Sequence, residues 1–126
     1  MSNSWKIFRV PSVAAGRSPG SAFGPFAWTV ASSSPDAKAD GFESQAKSTL
    51  DNLARNLAAL GSTKGQILTA SVYFADFKDT NRFNEMWLEW IGPNPEHWPQ
   101  RAIFEGSLPP GTLVEIVVTA AREFPD

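Results

Sequence analysis

Apolar residues between positions 42 and 60 recur with the spacing of one face of an α-helix, whereas the apolar runs on either side have the character of β-strands. The helical face consists of Phe42, Ala46, Leu50, Leu53, Leu57 and Leu60. Asp40 is predicted to cap this helix and Gly61 to end it. A second helix is predicted to begin after Asp79, with four bulky residues on one face: Phe83, Met86, Trp87 and Trp90.

Strands are predicted over residues 6–10, 26–32, 67–74, 101–105 and 114–121, and a loop rich in Gly, Pro and Ser over 11–21. Their order along the chain predicts an α+β fold, a mixed β-sheet with both helices packed on one face. The length of 126 residues suits a single domain spanning 1–126.

Composition excludes several functional classes. The net charge is -2 and no cluster of Lys or Arg occurs, so a nucleic-acid partner is not expected. The absence of cysteine excludes disulfides, thiolate nucleophiles and thiolate metal sites. No apolar run approaches the ~20 residues that span a membrane, so a cytoplasmic protein with no membrane partner is expected.

Two charged residues lie in the C-terminal strands. Glu115 interrupts the run LVEIVV at 113–118, which has the composition of a strand buried on both faces, and Arg101 opens the preceding strand. An ionised carboxylate buried in such a strand costs several kcal/mol unless it is paired. The two residues are therefore interpreted either as a structural ion pair or as the polar floor of a small-molecule site.

The side chains themselves suggest a chemistry. The guanidinium of Arg101 matches an organic carboxylate with two hydrogen bonds. Glu115 is placed to orient or deprotonate a water molecule. Asn84, near the buried face of the second helix, is assigned either to a ligand carbonyl or to a contact between helices. His97 is the only histidine and supports neither a metal cluster nor a triad, so a loop-packing role is expected for it.

Five segments together resemble the Rid family of reactive-intermediate deaminases, also called the YjgF family. The segments are QAKSTLDNL at 45–53, ILTASVYFAD at 67–76, FNEMW at 83–87, PQRA at 99–102 and LVEI at 113–116.

This resemblance implies a chorismate-mutase-like fold and a homotrimer with a barrel-like core and clefts between subunits. It implies hydrolysis of enamines and imines to a 2-keto acid and ammonia, with no metal and no cofactor. By similarity, Arg101 grips the substrate carboxylate, Glu115 positions the water, and Asn84 lies near the cleft.

The chain departs from the family pattern at three places. Ile103 stands where the family has a small polar residue, and Ser33 lies in a segment, 32–34, that lacks the family's glycine. The family's Gly-Pro-Tyr motif has only a look-alike in GPF at 24–26. By spacing, Arg17 or Ser18 faces the cleft in place of that tyrosine, and a second cation there favours a larger or dianionic substrate. Ser33 and Ile103 are also expected to line the substrate site.

The sequence thus predicts a deaminase that acts on a carboxylated enamine or imine. The alternative is a trimer that binds a carboxylate metabolite without catalysis, which the loss of polarity at Ile103 favours.

Overall fold

The computed structural model describes residues 5–12 and 14–124, which form a six-stranded sheet with two helices on one of its faces. The strands are β1 (Phe8–Arg9), β2 (Gly20–Phe23), β3 (Phe26–Ala31), β4 (Ile67–Phe74), β5 (Gln100–Glu105) and β6 (Val114–Ala121). The helices are α1 (Phe42–Ala59) and α2 (Thr80–Ile91). The predicted α+β class, with both helices on one face, is confirmed.

The strand order is β1-β2-β3-β6-β4-β5. Among the strands that are hydrogen-bonded to each other, β4 and β5 are parallel and all other pairs are antiparallel. Because β3 and β4 are each antiparallel to β6, they are parallel to each other. The chain therefore makes two crossovers between parallel strands, through α1 and through α2. Crossovers of this kind are almost always right-handed, which brings both helices to the same face of the sheet.

The core lies between the helices and this face. Alternate residues of β4 and β6, such as Val72, Phe74 and Ile116, are buried beneath Leu53 of α1 and Phe83 of α2. The rings of Phe74 and Phe83 meet edge to face with centroids 5.4 Å apart, which fixes α2 above β4 and β5.

The other face of the sheet, here called the open face, is not covered by any of the residues described. Its exposed apolar side chains are each 38–44% accessible to solvent: Phe26, Trp28, Val30, Phe104 and Val117. Within a single chain, β6 is therefore buried on one face and not, as its composition had predicted, on both. Its residues alternate between the core and the open face, and apolar residues such as Val117 on the open face gave the strand the composition of a buried one.

The ends of the elements differ in part from prediction. Strand β2 lies within and beyond the predicted loop, because GSAF has little of the β-branched character that marks a strand. Asp40 does not cap α1; it belongs to a 3₁₀ turn, and Gly41 is the N-cap residue. Asp79 precedes α2, but its side chain makes no capping bond. Gly61, with φ of +78°, ends α1 as predicted. Neither helix of the described ranges is long and apolar enough to cross a membrane.

Candidate functional site

Arg101 lies on the helix side of the sheet, beneath α2. It is in register with Ala70, a core residue of β4, so its side chain points toward the helices. Its Nη2 donates a hydrogen bond of 2.6 Å to Oδ1 of Asn84. Its guanidinium carbon lies 5.7 Å from the ring centroid of Phe83 and 5.4 Å from that of Trp87. Two aromatic rings and one amide thus hold the guanidinium in place.

One end of this guanidinium is left without a partner. Nη1 of Arg101 is buried and has no hydrogen-bond acceptor among the described residues, and the side chain forms no ion pair with them. Burial lowers the pKa of Arg101, because it removes the charged group from water. The group nevertheless stays protonated at any working pH. A buried donor without an acceptor costs about 1–3 kcal/mol, so a ligand carboxylate placed here would relieve that cost.

Ile103 lies two residues beyond Arg101 on the same side of β5 and is in register with Val72. Its side chain is 38% exposed. The surface beside the guanidinium is therefore apolar, and it would contact the side chain of a ligand whose carboxylate is bound by Arg101.

Glu115 lies on the opposite side of the sheet. Its neighbours Val114 and Ile116 point into the core, so the half-buried carboxylate of Glu115 points to the open face. It is in register with Tyr73, whose ring stacks on Phe104 with centroids 5.1 Å apart. Glu115 forms no ion pair within the described part of the chain.

Arg101 and Glu115 are thus separated by the sheet and are not brought together within one chain. The structural ion pair that the sequence left open does not form. A single site using both side chains requires the helix side of β5 from one copy and the open face of a second copy.

Ser33 follows the end of β3, close to α1. The surrounding backbone is held by α1: the Ser34 N–H donates to Oγ of Ser48 over 2.8 Å, and Nδ2 of Asn52 donates to the Ser32 carbonyl over 2.8 Å. Ser33 itself is 8% exposed, and its Oγ has no partner among the described residues. It is therefore a fixed, unpaired polar group near the end of the sheet where β6 begins.

Arg17 and Ser18 lie in the loop before β2. The Ser18 Oγ lies 2.7 Å from the carbonyl oxygens of both Val10 and Gly20, which share its single proton, so the hydroxyl stabilises the loop itself. Arg17 is exposed and lines an open cavity of about 490 Å³ together with Arg9. Sequence reasoning did not single out Arg9, because β1 is only two residues long and its pairing partner was not predicted.

Gln45 is a second residue whose role the sequence did not predict. It is 1% exposed on the buried face of α1. Its Nε2 donates to the Gly111 carbonyl over 2.8 Å, and its Oε1 accepts from the Leu113 N–H over 2.9 Å. The only sequence signal for this role was the place of a polar residue three positions after Phe42 and one before Ala46, both of which are apolar. Gln45 fixes the segment that leads into β6, and through it the position of Glu115.

Replacing Gln45 by leucine is expected to lower the free energy of unfolding by about 2–3 kcal/mol, because the Gly111 carbonyl and the Leu113 N–H lose partners in two partly buried hydrogen bonds. Chemical denaturation measures this loss. Lys47→Ala, on the solvent face of the same helix, is the control and should change stability by less than about 0.5 kcal/mol. Equal stability of Gln45→Leu and wild type would contradict the assigned role.

His97 packs in the loop between α2 and β5, close to Gly65, in agreement with the expected loop-packing role. Within the described ranges, no group of three or more His, Asp or Glu side chains could hold a metal ion.

Comparison with known proteins adds a family context. The family model described as "Endoribonuclease L-PSP" matches residues 26–122. A RutC family protein from Haemophilus ducreyi is 40% identical over 78 residues, which cover 61% of this chain and 65% of that protein. The human protein named 2-iminobutanoate/2-iminopropanoate deaminase is 30% identical over 83 residues, 65% of this chain and 58% of the human one. The matches thus span less than two-thirds of the length of these relatives.

Similarity of the fold extends over nearly the whole chain. The crystal structure of a YjgF-family protein from Neisseria meningitidis superposes with a TM-score of 0.83, covering 98% of this chain and 100% of that one. The two sequences are 24% identical, so this comparison bears on the fold.

Proposed function

The chain belongs to the YjgF/Rid family, whose family model carries the name endoribonuclease L-PSP, and from this we propose that it hydrolyses reactive enamine or imine forms of a carboxylated metabolite to a 2-keto acid and ammonia. The name of the human relative supports a general role in imine deamination. The observation that carries the proposal is the buried Nη1 of Arg101, an unpaired donor in a held guanidinium.

Arg101 would bind the substrate carboxylate. Nη2 is already oriented by Asn84, and the rings of Phe83 and Trp87 restrict the guanidinium plane. The side chain of Arg101 therefore has little conformational entropy left to lose when Nη1 binds a ligand, which favours binding. Ile103 would contact the carbon chain of the substrate.

Glu115 would orient the water. An imine carbon is already electrophilic, so the site needs to supply a positioned water and to accept a proton. The water oxygen forms a bond to the imine carbon, and its proton passes to Glu115. Glu115 returns this proton to the nitrogen, which gives a tetrahedral carbon bearing one hydroxyl and one amino group. The hydroxyl proton then passes through Glu115 to the amino nitrogen, so that the carbon–nitrogen bond breaks, the keto group forms and ammonia leaves.

The opposite placement of Arg101 and Glu115 supports a site between subunits. The contact would join two different surfaces, the helix side of β5 on one copy and the open face on the next. Contacts of this kind generate a closed ring when the rotation closes. We infer a homotrimer in which the open faces are buried at the centre and three clefts lie between subunits.

The direct test measures the release of ammonia and 2-keto acid from freshly generated 2-imino acids with side chains of increasing size. Imine hydrolysis with the wild type is expected to be faster than in buffer alone. Glu115→Gln is expected to lose most of this acceleration, because general acid–base groups contribute about 10²–10⁴-fold to the rate. Lys78→Ala, at an exposed turn, is the control. If the protein accelerated the hydrolysis of no imine, the result would contradict the proposed activity.

Mixing two inactive variants tests the location of the site. When Arg101→Met and Glu115→Gln chains are unfolded, mixed equally and refolded, about a quarter of the clefts in a cyclic trimer receive an intact Arg101 and an intact Glu115. Turnover should therefore return to about a quarter of the wild-type value. A mixture that refolds to the wild-type mass but stays as inactive as its components would contradict a site shared between two copies.

Binding without catalysis is the second candidate, and the apolar character of Ile103 beside Arg101 favours it. In that case a 2-keto acid would bind in a manner that depends on Arg101, and no imine would be turned over.

A further inference from the structure

A cavity of about 490 Å³ opens beside β1 and β2 and carries two arginines. Its lining consists of Arg9, Gly16, Arg17, Ser18 and Ser21. Neither arginine forms an ion pair or a side-chain hydrogen bond with any residue the structure describes. Although the chain carries more acidic than basic residues, no carboxylate lines this cavity.

Two guanidinium groups at one cavity repel each other unless an anion lies between them. None of the residues that line the cavity supplies such an anion. Because guanidinium groups match carboxylate oxygens in shape and number of donors, the cavity is suited to a carboxylate.

The loop that carries Arg17 is fixed to the sheet. The Ser18 hydroxyl bonds to the carbonyls of Val10 and Gly20, and the Pro19 carbonyl accepts hydrogen bonds from the Val30 N–H at 3.1 Å and from Oγ1 of Thr29 at 2.7 Å. Arg17 is therefore held at a defined place beside the end of β3.

The strand register places this cavity on the same side of the sheet as Glu115. Arg9 is in register with Ser21, and Ser21 with Trp28, which belongs to the open face. Pro19 lies beside Val30, which is in register with Val117.

Strands β2 and β6 are parallel to each other, because each is antiparallel to β3. Arg17 is two residues before Pro19, and Glu115 is two residues before Val117, so both precede these positions on the same side along the chain. Two strand spacings, about 10 Å, separate the backbones of Pro19 and Val117.

We propose that Arg9 and Arg17 form a subsite for a second carboxylate of the substrate, so that the preferred substrates are 2-imino dicarboxylic acids. This inference rests on the proposed function for its reaction and deepens it by naming the substrate class. The first carboxylate is bound by Arg101 of a neighbouring copy, the imine carbon lies near Glu115, and the side-chain carboxylate reaches the two arginines.

The test compares kcat/KM for imines generated from alanine and from aspartate or glutamate. Wild type is expected to prefer the dicarboxylates, and Arg17→Ala to lower kcat/KM for them by about 10- to 100-fold, the loss typical of a hydrogen bond to a charged group. The fall for the monocarboxylate should be much smaller, so that the preference for dicarboxylates is lost. Arg9→Ala should act in the same direction, and Arg55→Ala, an exposed arginine on α1, should have no effect.

Calorimetric titration with a 2-keto dicarboxylate gives a readout independent of turnover. If no imine is hydrolysed but this ligand binds about 10-fold more weakly to Arg17→Ala, the subsite stands and the proposed function fails. Equal binding of mono- and dicarboxylates by wild type, or binding indifferent to both arginines, would overturn the subsite. The assignment to dicarboxylates would be overturned if wild type bound inorganic phosphate but not the dicarboxylate, and if Arg17→Ala lost the phosphate binding.

Discussion

Replacing Arg101 by methionine is expected to abolish imine hydrolysis while leaving the protein at least as stable as the wild type. Losing one partner of a buried charge pair costs about 2–5 kcal/mol, which corresponds to a fall in kcat/KM of about 30- to several thousand-fold. The substrate carboxylate would then face Phe83, Trp87 and a thioether in place of a cation.

Thermal stability should change differently from activity, because the unpaired Nη1 of Arg101 does not stabilise the protein without substrate. The buried Nη1 costs about 1–3 kcal/mol, whereas the aromatic contacts of the guanidinium contribute about 0.5–2 kcal/mol. Asn84, which loses its partner in the variant, is exposed and can bond to water. The midpoint of thermal unfolding should therefore stay the same or rise.

Arg101→Lys is the matched control for charge. It keeps a cation but loses the planar pair of donors, so kcat/KM should fall to a value between wild type and Arg101→Met. Thermal unfolding followed by circular dichroism, together with the turnover assay, separates the two effects. Retained activity in Arg101→Met, or a loss of activity that follows a loss of folded protein, would count against a carboxylate-binding role.

Replacing Val117 by glutamate is expected to convert the proposed trimer into folded monomers and to remove turnover with it. Val117 is 40% exposed and lies beside Val30 and near Trp28 on the open face. In one chain its side chain can reach water, so a carboxylate there costs the monomer little. In the proposed trimer three carboxylates would be buried at the centre without partners. Removing each of them from water carries an effective penalty of several kcal/mol.

Size-exclusion chromatography with light scattering should give one-third of the wild-type mass, and circular dichroism should show an unchanged fold. Ala54→Glu introduces the same charge on the solvent face of α1 and should leave both mass and activity at wild-type values. A wild type that is itself monomeric, or a Val117→Glu variant that stays assembled, would contradict the burial of the open face.

Much of the fold followed from local patterns. The helical period between Phe42 and Leu60 and the β-branched run of β4 gave elements whose bounds agree closely with the structure. β2 escaped prediction because it is short and is stabilised by pairing with β3, a contact that does not depend on its own composition.

The sequence by itself determined the kinds of chemical group in the proposed site and the strands and helices that carry them. Only the tertiary structure decided which groups share a side of the sheet. In a strand the side chains alternate with a period of two, so the face that Arg101 or Glu115 occupies depends on the register with a neighbouring strand. The parallel pairing of β5 with β4 places Arg101 with Ala70 under the helices, and the antiparallel pairing of β6 places Glu115 with Tyr73 on the open face. Contacts between residues distant in sequence, such as those of Gln45 and Phe83, help to hold the strands in these positions.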